Sequence, residues 1–280
     1  MTEIDGKYYL INEKTEMTEN FNILSMNIKN PVYEVIRIIN GVPLFMEDHY
    51  QRLENSAKAL GFQLKYTQEY ILSQIGSLLS LNGQNNCNVK IIIYSAESVQ
   101  DDSGQKFVCY ISKSYYPDIE TVRKGVPVSL IELEREKPNA KILNNQYKQK
   151  VSSKIEADGV FEVLLVNSEG KITEGSKSNV FFVKGEKVFT APGSHVLKGI
   201  TRKYVFDACR SVGVEVIEEL VDANSLENFD GVFLSGTSIK VLPVSRIDNM
   251  IFSSGTYPTI VAIRDEFDRL LDEYIQEHKK

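Results

Sequence analysis

Between Gly170 and Val183 the chain reads GKITEGSKSNVFFV, a polar knot set between two runs that could be strands. Gly175-Ser176-Lys177-Ser178 comes within one residue of a phosphate-binding P-loop. Such a loop needs a glycine, four residues and then Gly-Lys-Ser/Thr, following a strand and opening a helix. Here Ser176 intrudes between Gly175 and Lys177, and SNVFFV alternates with β-branched and aromatic residues as a strand does. The nucleotide reading fails, no GxGxxG or GxSxG occurs, and Lys177 is left a bystander. His49, His195 and His278 are far apart and no HxxxH or CxxC pair exists, so a metal centre has no support.

Other residues suit a phosphate that carries an aromatic cation. Lys141, ahead of the polar patch in NAKILNN, could form a Schiff base. Glu174 could hold a protonated ring nitrogen from the middle of a sheet. Gly199-Ile200-Thr201 opens a helix, whose free amides and dipole attract an anion, although a plain cap by Thr201 reads the same way. Thr237 and Ser238 offer hydroxyls in a strand-to-strand loop, as an ordinary turn would. Arg52 could present a guanidinium fork to phosphate, but spacing alone favours a surface arginine paired with Glu47 or Glu54. Taken together these are the parts of a pyridoxal phosphate site.

The elements that must position these residues follow from periodicity and turn chemistry. Lys7 to Ile11 and Tyr33 to Ile39 read as strands, the second ending at the turn pair Asn40-Gly41. Asp48 can cap a helix running to Leu60 and stopped by Gly61, with Tyr50, Leu53, Ala57 and Leu60 as its buried stripe. A second helix is expected over Thr67 to Leu81, then strands VKIIIY and KFVCYISK around the polar loop Ser95 to Gln105. YPDIETVRKG, from Tyr116, is a polar boundary and divides the chain into domains of residues 1–120 and 121–280. Beyond it come a strand from Val126 to Leu133, the run EREKPNAKILNNQ and a helix closed by Gly159. FEVLLVN, GKITE, SNVFFVK and KVFTAP then read as an antiparallel meander. A helix from Gly199 to Gly213, strands Val214 to Ile217 and Val232 to Leu234, and a long final helix complete the chain.

With 280 residues the chain can bury a substantial core. Its 32 basic and 38 acidic residues leave a net charge of -6, which argues against nucleic acid or an anionic membrane as a partner. Three scattered cysteines suit a reducing compartment, and the N-terminal residues lack the basic and apolar regions of a signal peptide. The expectation is a cytoplasmic protein.

An ordered set of motifs resembles the class IV aminotransferases, the fold-type-IV pyridoxal phosphate family of branched-chain and D-amino-acid aminotransferases and 4-amino-4-deoxychorismate lyase. The likeness runs from about Val32 to Val244. VYEVIRIINGVPLFMEDHYQRLENSAKALG is similar to the family's first strand, turn and helix, and KILNN to its lysine segment. ITEGSKSNVFFV, LKGITR and SGTSIKVLPV resemble the pyridine-nitrogen strand, the phosphate-binding helix start and the last phosphate loop. The resemblance implies an α+β chain with a small N-terminal α/β sandwich and a larger C-terminal pseudo-barrel. It implies catalysis by Lys141 and Glu174, cofactor binding by Arg52, Ile200, Thr201, Thr237 and Ser238, and Tyr33 in the substrate pocket. It also implies a homodimer.

The implied reaction moves an amino group between an α-amino acid, branched-chain ones among them, and a 2-keto acid. A lyase that eliminates pyruvate and a cofactor-binding relative without turnover stay open. The departures fall on the substrate side. Ile28-Lys29-Asn30-Pro31 replaces a glycine-rich turn, and Ser95-Ala96 an arginine-glycine pair used to recognise carboxylate. Gln146 stands nearest the place of a family tyrosine, with Tyr147 one step off.

Overall fold

The computed structural model describes residues 3–21, 29–95, 104–135, 138–142 and 144–279. Most of the loop from Ser95 to Gln105 lies outside them, as do Ile28 and Ala96. The chain forms two compact units, one of residues 1–114, 140–143 and 274–280, the other of residues 115–139 and 144–273.

The first unit is built on a six-stranded antiparallel sheet that packs two α-helices against one face. Its strands are β1 (Ile4–Ile11), β2 (Lys14–Met17), β3 (Lys29–Ile39), β4 (Val42–Pro43), β5 (Cys87–Ser95) and β6 (Gln105–Ser112), in the order β2-β1-β6-β5-β3-β4. Asn40 and Gly41 take φ of 52° and 81°, the left-handed pair of a tight hairpin, and set Ile39 opposite Val42. Alternation along the strands splits the sheet into two faces. Val32, Ile36, Ile38, Val89, Ile91, Ile93, Phe107 and Cys109 pack with Leu53 of α1 (Met46–Ala59) and Ile71, Ile75 and Leu78 of α2 (Gln68–Asn82). Each fully buried aliphatic side chain there contributes about 1.5–3 kcal/mol. Tyr33, Ile92, Tyr94, Val108 and Tyr110 gather on the other face.

Thr67 caps α2 through its side chain, but Asp48 does not cap α1. That helix is capped three residues earlier, by Phe45 at φ 53°. Asp48 sits in its first turn, where it complements the dipole without accepting the cap bond. Leu53 and Ala57 of the expected stripe are buried, with Tyr50 and Leu60 packed partly buried beside them.

The second unit holds a ten-stranded sheet. Its strands are β7 (Val126–Glu132), β8 (Glu162–Val166), β9 (Lys171–Gly175), β10 (Asn179–Lys184), β11 (Lys187–Thr190), β12 (Glu215–Glu218), β13 (Val221–Asp222), β14 (Gly231–Gly236), β15 (Lys240–Ile247) and β16 (Met250–Ile251). They run in the order β12-β11-β10-β14-β15-β7-β8-β9-β13, with β16 on β15. The path ends at β12 and β13, yet only two residues separate these strands in sequence. So short a link spans at most about 10 Å, so the sheet must curl until its edges approach. This is the pseudo-barrel.

The expected meander is broken. β8 pairs β9 and β10 pairs β11, but no ladder joins β9 to β10; β9 turns to β13 and β10 to β14. GKITEGSKSNVFFV is therefore no hairpin but a crossing between distant parts of the sheet. Parallel pairs also occur, β7 with β8 and β11 with β12, each joined through a helix: α4 (Asn145–Asp158) and α5 (Ile200–Ser211). The polar segment after Tyr116 contains a short helix, α3 (Ile119–Lys124), capped by Asp118. A long helix, α6 (Pro258–His278), follows β16. Among the described residues no helix is long and apolar enough to cross a membrane. No group of three or more His, Cys, Asp or Glu residues converges there as a metal site would require.

Candidate active site

In the first unit the lysine segment is stitched to β3. The Lys141 carbonyl accepts the Tyr33 amide at 3.2 Å, Val32 and Ile142 form an isolated bridge, and the Lys141 amide donates to Ser56 Oγ at 3.2 Å. These bonds carry the Lys141 ammonium over the ring of Tyr33, 4.7 Å from its centroid. Lys90 Nζ lies 5.2 Å from the same ring while ion-pairing with Glu3 at 2.7 Å. One aromatic side chain thus serves two cations.

On the opposite face of β3, Glu34 is 1% exposed. Arg52 grips it with a bidentate fork, Nε to Oε1 at 2.7 Å and Nη2 to Oε2 at 2.6 Å, and His49 Nδ1 lies 2.7 Å from Oε2. Burial alone would push the Glu34 carboxyl up, but Arg52 and then His49 outweigh it and hold the group at about 2. Burial, reinforced by Arg52 and Lys141, keeps His49 below its ordinary value against the pull of Glu34. Spacing along α1 favoured a surface pairing of Arg52 with Glu47 or Glu54; its partner is a buried carboxylate on a strand instead. Ser56 Oγ donates to the Arg52 carbonyl and accepts the Lys141 amide, so one hydroxyl ties Arg52, Lys141 and Tyr33 into a single cluster.

In the second unit three motifs converge. Glu174, near the end of β9, is 3% exposed, and its Oε2 accepts the Leu197 amide at 3.2 Å. Asn179 Nδ2 donates to the Leu197 carbonyl at 2.9 Å, so two side chains of the EGSKSN run pin the entry to α5. Gly199 follows. A Cβ there would stand 2.2 Å from Asn179 Oδ1, so no other residue fits without moving the asparagine. Gly199 is the cap of α5 and makes no side-chain cap bond, which leaves the first amides of that helix for an external acceptor. Thr201 is therefore not the cap; it lies buried in the first turn beside Ile200. Asn179 pairs with Ser235 across β10 and β14, which brings the loop of Gly236, Thr237 and Ser238 to the same end of the sheet. The hydroxyl of Ser235 is buried there with no partner among the described residues. An uncapped helix start, an orphaned hydroxyl and a glycine that excludes side chains suit a bound anion.

Sequence reasoning missed the neighbours of Glu174. Arg135 Nε lies 3.0 Å from Glu174 Oε1, close enough for charge compensation although its N–H is not aimed along that line. The other end of the guanidinium donates from Nη2 to the Ser176 carbonyl at 2.7 Å, which also accepts the Tyr147 hydroxyl at 3.1 Å. The guanidinium lies over the Tyr147 ring, 4.9 Å from its centroid. Burial first, then the nearby carboxylates, push the Tyr147 hydroxyl up to about 12 against the pull of Arg135. Gln146 is exposed, so Tyr147 faces this cluster in its stead, and the Lys177 side chain is exposed as well.

A family model described as amino-transferase class IV matches residues 31–247. D-alanine aminotransferase of Bacillus licheniformis is 27% identical over 249 residues, 87% of this chain and 88% of that protein. The probable branched-chain-amino-acid aminotransferase of Rickettsia felis is 26% identical over 258 residues, 89% of each chain. Among solved structures, the branched-chain amino acid aminotransferase of Thermobaculum terrenum in its PLP form shares the fold at a TM-score of 0.80 and 23% identity, covering 99% of this chain and 97% of that one. On the strength of the matched span, the chain belongs to the class IV aminotransferase family.

Proposed function

We propose that this chain is a pyridoxal-phosphate-dependent aminotransferase that moves an amino group between an α-amino acid, branched-chain ones included, and a 2-keto acid. The observation that carries the reading is the convergence of a buried Glu174 with the uncapped start of α5 and the loop after β14. Pyridoxal phosphate, when bound, supplies an aldehyde that condenses with a primary amine and a cationic ring that takes up the electron pair left at Cα.

In this reading Lys141 tethers the cofactor between turnovers. During turnover its freed Nζ would be the base that accepts the proton from the substrate Cα and the acid that later gives it back. A placed acid-base group of this kind is worth ~10²–10⁴-fold. Glu174 holds the proton on the ring nitrogen, with Arg135 compensating its buried charge. Ile200 and Thr201 offer amides to the phosphate, Thr237 and Ser238 hydroxyls, and Arg52 the cationic side of the cradle. Tyr33, held under the Lys141 ammonium, lines the substrate pocket. Residues 1–120 form the smaller functional domain and 121–280 the cofactor-binding one, in a cytoplasmic homodimer.

The test is a panel of L- and D-amino acids mixed with purified protein, followed by absorbance and product analysis. Amino acids that convert the bound cofactor to its amine form, with keto acid released, support the proposal. Pyruvate and 4-aminobenzoate formed from aminodeoxychorismate without an acceptor would replace it with the lyase reading. No conversion by any amino acid would leave a binding protein without turnover.

A further inference from the structure

Glu162 opens β8, is 3% exposed and has no part in the steps above. Its Oε1 accepts the Lys177 amide in a short hydrogen bond and the Ser176 hydroxyl at 3.2 Å. Both donors lie in the turn that carries the chain from Glu174 on β9 to Asn179 on β10. Gly175 is shaped by the same group: a Cβ there would stand 2.2 Å from Ser178 Oγ and 2.8 Å from Glu162 Oε1. The GSKS run that imitates a P-loop is thus a wrapping around one buried carboxylate. The pull of its donors only partly offsets burial, which leaves the carboxyl above its ordinary value.

The outer side of that turn is the Ser176 carbonyl, and on it rest the Arg135 guanidinium and the Tyr147 hydroxyl. Arg135 is the cation that faces Glu174 Oε1. We propose that Glu162 is a positioning residue for the cofactor's ring nitrogen: by fixing the turn from 175 to 178 it sets the Ser176 carbonyl, which holds Arg135 against Glu174. An apolar side chain at 162 could fill the space but would leave the Lys177 amide and the Ser176 hydroxyl buried without an acceptor. Aspartate is one methylene too short to reach them. A glutamine keeps Oε1 as acceptor for both and removes the buried charge.

The inference rests on the reading of Glu174 as the ring-nitrogen partner. It is tested with Glu162→Gln, Glu162→Ala and Arg135→Met, each loaded with pyridoxal phosphate. The readouts are the dissociation constant of the cofactor and the pH titration of the visible absorbance of the lysine-linked cofactor. Glu162→Ala should weaken binding by roughly 10-fold or more, the scale of lost outer partners in other sites. It should also move the titration midpoint by roughly one unit. Glu162→Gln should leave both close to wild type. Combining Glu162→Ala with Arg135→Met should add little to Arg135→Met alone, because both act on Glu174 through the same guanidinium. If Glu162→Ala does not fold, Glu162→Asp takes its place with the same expectation. An unmoved midpoint and affinity, or simple additivity with Arg135→Met, overturns the inference while the cofactor reading stands. A wild-type protein that takes up no cofactor overturns both.

Discussion

Replacing Glu34 by glutamine should remove most of the acid sensitivity of the first unit. The carboxyl is held at about 2 although it is buried, against an ordinary value of 4.5. That difference, at about 1.36 kcal/mol per unit, is about 3 kcal/mol of stability carried by one group. The unfolded chain takes up the proton first, so the stabilisation is complete above about pH 4.5 and is lost as the pH falls toward about 2. His49 acts in the same direction from a higher pH, since burial makes the native ring resist a proton that the unfolded chain accepts. Glu34→Gln abolishes the first contribution and replaces one of the two carboxylate oxygens that face Arg52 by an amide nitrogen that cannot accept. Breaking one side of a buried pair costs about 3–5 kcal/mol, and the retained oxygen places this variant near the lower end at neutral pH. Urea unfolding followed by circular dichroism across that acid range is the assay. The wild-type curve should fall by about 3 kcal/mol more than the variant's on acidification. Parallel curves would refute the pairing of Glu34 with Arg52 and His49 as the source of the low carboxyl.

Gly175→Ala should lower stability by about 1–3 kcal/mol in thermal unfolding, because the added methyl meets Ser178 Oγ and Glu162 Oε1 in a packed turn. An unchanged transition would mean that the turn has slack and does not fix Ser176. The homodimer is checked by mass in solution, where a monomer at working concentration would contradict it.

Local punctuation was legible. Asn40-Gly41 and Gly159 mark their turn and helix end, and Thr67 the start of α2, because each depends on a few neighbouring dihedrals. Strand partners were not. β9 binds β13 and β10 binds β14 across some fifty positions of sequence, and nothing in GKITE or SNVFFVK encodes a partner that far away. Arg52 read as a surface residue because helical spacing reports only the neighbours on its own helix, whereas Glu34 reaches it from a strand 18 positions earlier. Asp48 had the chemistry of a cap, yet the left-handed backbone at Phe45 begins the helix before it. Arg135 lay inside EREK, which looks like a solvated charge run, and only the fold turns it inward. Glu162 left one usable trace, a carboxylate heading the apolar run VLLV, where an unpaired charge would be costly.

In the proposed function Lys141, and not the conspicuous Lys177, carries the cofactor. Borohydride reduction of the protein loaded with pyridoxal phosphate, followed by peptide mapping by mass spectrometry, tests it directly. A single pyridoxyl mass increment is expected on the peptide containing Lys141, absent in Lys141→Ala and retained in Lys177→Ala. A label on Lys177 or another lysine, or none on the wild-type protein, would contradict it.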